Sequence, residues 1–149
     1  MGALVAAGAG FLLAVLWFDL MFDVQVRGHR GGSLPEGVLE SIAAYYARVT
    51  TAARPMNRLV ATAMLATIVA IVVQIARGEP RAWVSWVSLA LALPAVALAA
   101  LRIVPDAVRL GARSDPVERQ SKLAVDIFRG HVLCVSLIAT LLVLQLAFA

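Results

Sequence analysis

The sequence is poor in cysteine, histidine and charge, and each shortage removes a class of protein. A single cysteine, Cys134, excludes an intrachain disulfide. It also excludes CxxC thiol oxidoreductase chemistry, which needs two thiols. Two histidines, His29 and His131, are too few for the bis-histidine sets that hold several haems. Charged residues make up 15% of the chain and hydrophobic residues 62%, whereas a soluble domain is about 25% charged. A water-soluble fold of 149 residues would not hide that much apolar surface. A phosphate-binding loop, HExxH, GxSxG and a dinucleotide fingerprint are all missing. The length suits one domain, and lipid is the solvent that suits the composition.

What the chain has instead is long apolar runs. A helix crosses the hydrocarbon core with about 20 apolar residues, and four runs reach that length, at roughly 3–22, 56–76, 83–104 and 123–148. The first has no basic segment before it. It ends in Asp19 and Asp23 without a small-residue cleavage site, so it reads as a retained span and not as a signal peptide. Arg77-Gly78-Glu79-Pro80-Arg81 is a tight turn that makes spans two and three an antiparallel hairpin. The expected fold is all-α: a four-transmembrane-helix bundle with amphipathic cytoplasmic helical extensions, forming one integral membrane domain over residues 1–149.

Charge then orients the bundle. Eleven of the 13 basic residues fall on the side that holds the 23–55 and 105–122 loops, and only Arg77 and Arg81 fall on the other. Basic residues near span ends stay in the cytoplasm, which places both termini outside. Trp83 and Trp86 then lie at the outer interface and Trp17 at the inner one. In the first loop, Ser33-Leu34-Pro35-Glu36 reads as a capped helix start. Leu34, Val38, Ile42, Tyr45 and Val49 follow at helical spacing, until Pro55 bends the chain into span two. Asp115-Pro116-Val117-Glu118 repeats the device before span four. Small-residue rows at Gly2, Ala6, Gly10, Ala14 and at Ser88, Ala92, Ala95, Ala99 allow close helix packing, within the chain or in a homo-oligomer. Gln74 and Gln145 are placed to bond to each other across the bundle.

The candidate site comes from polar residues that enter the spans at one depth. Asp19 and Asp23 close span one; Arg54, Asn57 and Arg58 open span two; Arg102 and Asp106 close span three; Asp126, Arg129 and His131 open span four. An ion inside a span costs about 2.5–3.5 kcal/mol on insertion scales, less near its ends. Such groups persist by facing inward and finding partners. A ring of acid–base pairs is the arrangement expected, with Asp19, the deepest acid, served by the arginines. Asp19 and Asp23, one turn apart, also form a metal or proton-relay set with His131. His131 and Cys134 share a helix face but lack a third ligand nearby, so no metal site is assigned to them.

The size and four-span layout resemble the small anthrone-oxygenase-like integral membrane proteins. The openings Arg54-Pro55-Met56-Asn57-Arg58 and Arg129-Gly130-His131 stand where that family's polar positions are sought. The resemblance implies a four-helix membrane bundle and, for a few members, a cofactor-independent oxygenase. It carries no catalytic residue onto this chain.

Three functions fit. The first is a site of Asp19, Asp23, Arg54, Asn57, Arg58, Arg102, Asp126, Arg129 and His131 that binds a small polar molecule, an ion or a lipid headgroup. The second is a membrane enzyme with His131 or Asp19 as base, which requires an apolar cavity beside those side chains. The third is an accessory subunit of a larger membrane complex. No particular cofactor is indicated. Membrane lipid, with anionic headgroups at the arginine-rich face, is the expected partner; nucleic acid is not, because topology already accounts for the basic residues. The alanine, valine and arginine content is that of a GC-rich bacterial genome, which points to the inner membrane.

Overall fold

Hydrocarbon offers no partner to a bare peptide group, so each long apolar run satisfies its own backbone by becoming a helix. The computed structural model describes all residues except 30, 31, 53, 79, 80 and 149, and the backbone only of Arg54. Arg30, Glu79, Pro80 and the Arg54 side chain, all used in the sequence reading, therefore lie outside the described residues. The described residues contain no strand. Helix α1 spans Gly2–Asp23 and tightens into a 3-10 turn at Val24–Gly28. Helix α2 spans Glu36–Tyr46, α3 Arg54–Ala76, α4 Ala82–Leu98, α5 Val104–Ala112 and α6 Val117–Phe148. Four segments are long and apolar enough to cross a membrane: Gly2–Gly28, Pro55–Ala76, Ala82–Ala112 and Val117–Phe148. The third and fourth run past their sequence-predicted inner ends, so their arginine-rich ends project beyond the apolar stretch.

The four long helices form a ring. α1 packs on α6 and α3, and α4 packs on α6 and α3, while the diagonal pairs have no extensive contact. The contact stripes explain the order. On α6 the buried positions include Ala124, Ile127, His131, Cys134, Ile138, Leu141 and Gln145, spaced three or four apart. On α4, Ser88, Ala92 and Ala95 lie on one such stripe, which Ala99 and Ile103 continue; the second small-residue row is thus consumed inside the bundle. In the first row, Ala14 is exposed and a methyl at Gly10 would meet open space. α1 instead approaches α3 through Gly8, where an added methyl would run into Thr67 Oγ1. At the end opposite the arginines, buried Gln74 and Gln145 bond to each other and Gln145 donates to Ser88 at 2.8 Å, tying α3, α4 and α6. Arg81 donates to the Phe148 carbonyl at 2.8 Å, which places the start of α4 and the end of α6 together.

At the arginine-rich end, α2 and α5 lie against each other and close the ring from below. α2 buries Leu39, Ile42, Ala43 and Tyr46. The cap expected at Ser33 is not made: Pro35 is the N-cap, and the Leu34 N–H is taken by Ser121 Oγ of α6 at 2.9 Å. Asp115 accepts a two-pronged bond from Arg109, at 2.7 Å on each oxygen. Gly111 sits where a Cβ would lie 2.8 Å from the Ala47 backbone nitrogen, so α5 and the chain after α2 touch backbone to backbone. Wide π turns occupy Ala47–Ala52 and Ala99–Ile103. Each lies shortly before a proline, Pro55 or Pro105, whose missing N–H breaks the regular bond pattern. Such turns cluster at functional sites, and both of these flank the cavity described next.

Candidate functional site at the mouth of the bundle

A helix about 20 residues long spans the hydrocarbon. Counted from Gly2 that length ends near Met21, and counted back from Phe148 it ends near Arg129. Asp19 and His131 thus sit in the last turn of the apolar layer, with Asp23 just past it. The stripe that runs along α1 through Val5, Ala9 and Leu12 arrives at Asp19 and Asp23, aiming both carboxylates inward. The α6 stripe delivers His131 opposite them.

The contacts are specific. His131 Nδ1 lies 2.6 Å from Asp23 Oδ2. The Tyr46 hydroxyl donates to the other Asp23 oxygen at 2.6 Å. Asp23 is fully buried, and both of its oxygens are met, as a carboxyl in that position requires. The Tyr45 hydroxyl donates to Asp19 Oδ1 at 2.7 Å, and its ring stacks on Phe22 with centroids 4.0 Å apart. In a neutral ring, Asp23 accepting from Nδ1–H leaves the lone pair on the second imidazole nitrogen. That Nε2 makes no hydrogen bond among the described residues; Asp19 Oδ2 stands 3.6 Å away. Burial, then the Asp19 carboxylate, pushes the Tyr45 phenol above its ordinary range; burial, then Asp23, does the same to Tyr46. Both phenols therefore remain donors.

Two cavities meet at Asp19 and His131. One, of about 100 Å³, lies inside the ring of long helices and is lined by apolar side chains such as Leu12, Met64, Ala95, Ala99 and Ile138, with Cys134 at its wall. It exists because the diagonal helix pairs do not close on each other. The other, of about 270 Å³, continues toward α2 past Tyr45, Tyr46, Thr50, Met56 and Asn57. Asp19 and His131 line both; the first cavity, the inner arm, is apolar and the second, the outer arm, is mixed.

Comparison of the chain with protein-family models, with curated proteins and with solved structures finds no match.

Not every residue singled out from sequence comes to this site. Asp19, Asp23 and His131 meet. Asn57 lines the outer arm and donates to the Thr50 carbonyl at 3.3 Å, but is exposed. Arg58, Arg102, Asp126 and Arg129 are exposed, and the Arg54 side chain is outside the described residues. Among the described residues the acid–base ring expected from sequence does not form: no guanidinium pairs with Asp19 or Asp23, and the side chain that faces both is His131. The reason is angular. Asp126 and Arg129 flank the stripe that carries Ile127 and His131, as Arg102 flanks the stripe that carries Ile103, so shared depth does not bring shared direction. Asp23 and His131 bond directly to each other, and no group of metal-binding type assembles among the described residues. Sequence reasoning assigned Tyr45 only to an apolar helix face and passed over Tyr46. The available signal was two adjacent tyrosines on an amphipathic helix, one per carboxylate.

Proposed function

We propose that this polytopic membrane protein binds a lipid-soluble molecule bearing a weakly acidic hydroxyl and takes its proton on His131 Nε2. The observation that carries the reading is the Nε2 of a buried imidazole, without a hydrogen bond among the described residues and beside an apolar cavity, while its partner nitrogen is held by Asp23. The apolar part of the ligand fits among Leu12, Met64 and Ile138, and its hydroxyl reaches the gap between Nε2 and Asp19. In the transfer the ligand O–H bond breaks and an Nε2–H bond forms. The resulting imidazolium lies between two carboxylates, in a setting where solvent screening is weak. Asp23 positions the ring by fixing its tautomer. The arginine-rich end faces the cytoplasm, as the distribution of basic residues favours.

The apolar cavity beside the base also favours a second reading, carried by the resemblance to anthrone-oxygenase-like proteins. The anion left by proton abstraction would give electrons to dioxygen in the same cavity, forming a carbon–oxygen bond without a cofactor; the resulting peroxide would recover the proton from His131. Oxygen consumption with a hydroxylated polycyclic substrate tests that extension.

The binding itself is tested by native mass spectrometry of protein extracted in mild detergent. The wild type should retain an added long-chain alkylphenol. Ala99→Phe, which fills the cavity, should lose it, and His131→Gln should weaken it about tenfold or more, the loss of one good hydrogen bond at about 1.4 kcal/mol. Equal retention by all three folded proteins contradicts the proposal.

A further inference from the structure

Arg102, Asp106 and Asp126 share a groove of about 300 Å³ on the outside of the bundle, between the α4–α5 junction and α6, floored by Leu98, Ile103 and Ile127. About 20 residues from Ala82, the length that crosses hydrocarbon, ends near Leu101, so Arg102 begins the headgroup layer. Asp126 lies at the same level by the count from Phe148. The groove therefore has an apolar floor continuous with the acyl region and a charged rim among the headgroups.

The rim is unusual in its balance. It offers one guanidinium and two carboxylates, and among the described residues none of the three is in an ion pair within 4.0 Å. Lys122 and Arg129, one turn either side of Asp126 on α6, form no pair with it either. Charges at a lipid boundary are costly without close partners, and among the described residues only Arg109 acts on the rim, on Asp106 and from beyond ion-pair distance. A purely anionic headgroup would satisfy Arg102 and be repelled by two carboxylates. A headgroup carrying both a phosphate and an ammonium matches both signs.

We propose that this groove binds a zwitterionic phospholipid with a primary ammonium, of the phosphatidylethanolamine kind. The phosphate lies on Arg102, where a guanidinium gives two parallel donors. The ammonium lies between Asp106 and Asp126, and the glycerol and first acyl carbons lie over Ile103 and Ile127. Primary amine is specified because a carboxylate pair rewards N–H donors; the trimethylated ammonium of a choline lipid has none. The inference is independent of the His131 site, which the groove does not include.

The test is native mass spectrometry of the full chain in mild detergent with phosphatidylethanolamine, phosphatidylcholine and phosphatidylglycerol of identical acyl chains. The ethanolamine lipid should be retained about tenfold over the choline lipid, the scale of one charge-assisted hydrogen bond. The double variant Asp106→Asn/Asp126→Asn should erase that preference, and Arg102→Gln should lower retention of every phospholipid. Arg113→Gln, whose partner is Glu36, should change neither. All four side chains lie at the surface or half-buried, and unchanged unfolding temperatures check that the variants remain folded. Equal retention of the ethanolamine and choline lipids overturns the proposal, as does a preference that survives the double variant. Binding of soluble phosphoethanolamine as tight as that of the lipid would assign the groove to a soluble ligand and overturn the lipid assignment.

Discussion

Tyr45 and Tyr46 are the only tyrosines in the chain, and both point at buried or half-buried carboxylates. That makes the site readable without a label. A free phenol titrates near pH 10; burial and the adjacent Asp19 and Asp23 raise both phenols in the fold. Stability from this source is complete below about pH 10 and is lost as pH climbs from there through the folded value, because only the unfolded chain can ionise its phenols in that window. Tyrosinate absorbance should therefore be silent near pH 10 in the native protein and appear together with loss of helix. A titration at the ordinary phenol range with the helices intact would contradict the site geometry. Tyr46→Phe, which strips a donor from fully buried Asp23, should cost about 1–3 kcal/mol of stability. Tyr45→Phe should cost less, since Asp19 is not fully enclosed.

At the scale of elements, close approach is concentrated at a few glycines. Gly111→Ala pushes a methyl into the Ala47 backbone, and no side chain can move to relieve it. It should destabilise the α2–α5 layer by about 1–3 kcal/mol, the usual cost of overpacking. Gly10→Ala meets open space and should stabilise by up to about 1 kcal/mol through helix propensity. Thermal unfolding in detergent separates the two; equal effects would mean that α5 does not rest on the chain after α2. The helices themselves were legible in the sequence because apolar length is a strong signal. That Asp19 and Asp23 share a face was legible too, since an i, i+4 pair on one span faces one way; that His131 of another span comes to meet them was not. The fate of the arginines was not legible. Depth follows from counting along the chain, but direction depends on which stripe the neighbouring helices bury, and Arg102, Asp126 and Arg129 fall beside those stripes. The capping box at Ser33 failed because the helix begins two residues later than the pattern suggests, with Pro35 at the N-cap, which leaves Ser33 outside the capping position.

For the whole molecule, the ring of four helices leaves a central void, and the interfacial pair α2 and α5 closes the arginine-rich end. The proposed orientation follows from basic residues alone. It predicts that, in a Cys134→Ala background, a membrane-impermeant thiol reagent labels Arg77→Cys in intact cells and Ser114→Cys only after permeabilisation; the reverse pattern would invert the topology. The second small-residue row was expected to serve packing and does so, while Gly10 and Ala14 leave one flank of α1 unused within the chain. The imidazole that lines both cavities is the centre of the site, and imidazole-nitrogen NMR of histidine-labelled protein addresses it directly. His131 should show a single tautomer protonated on Nδ1, and addition of a long-chain alkylphenol should move the Nε2 resonance and leave that of His29 in place. An imidazole exchanging between tautomers, or an Nε2 signal indifferent to the phenol, would contradict it.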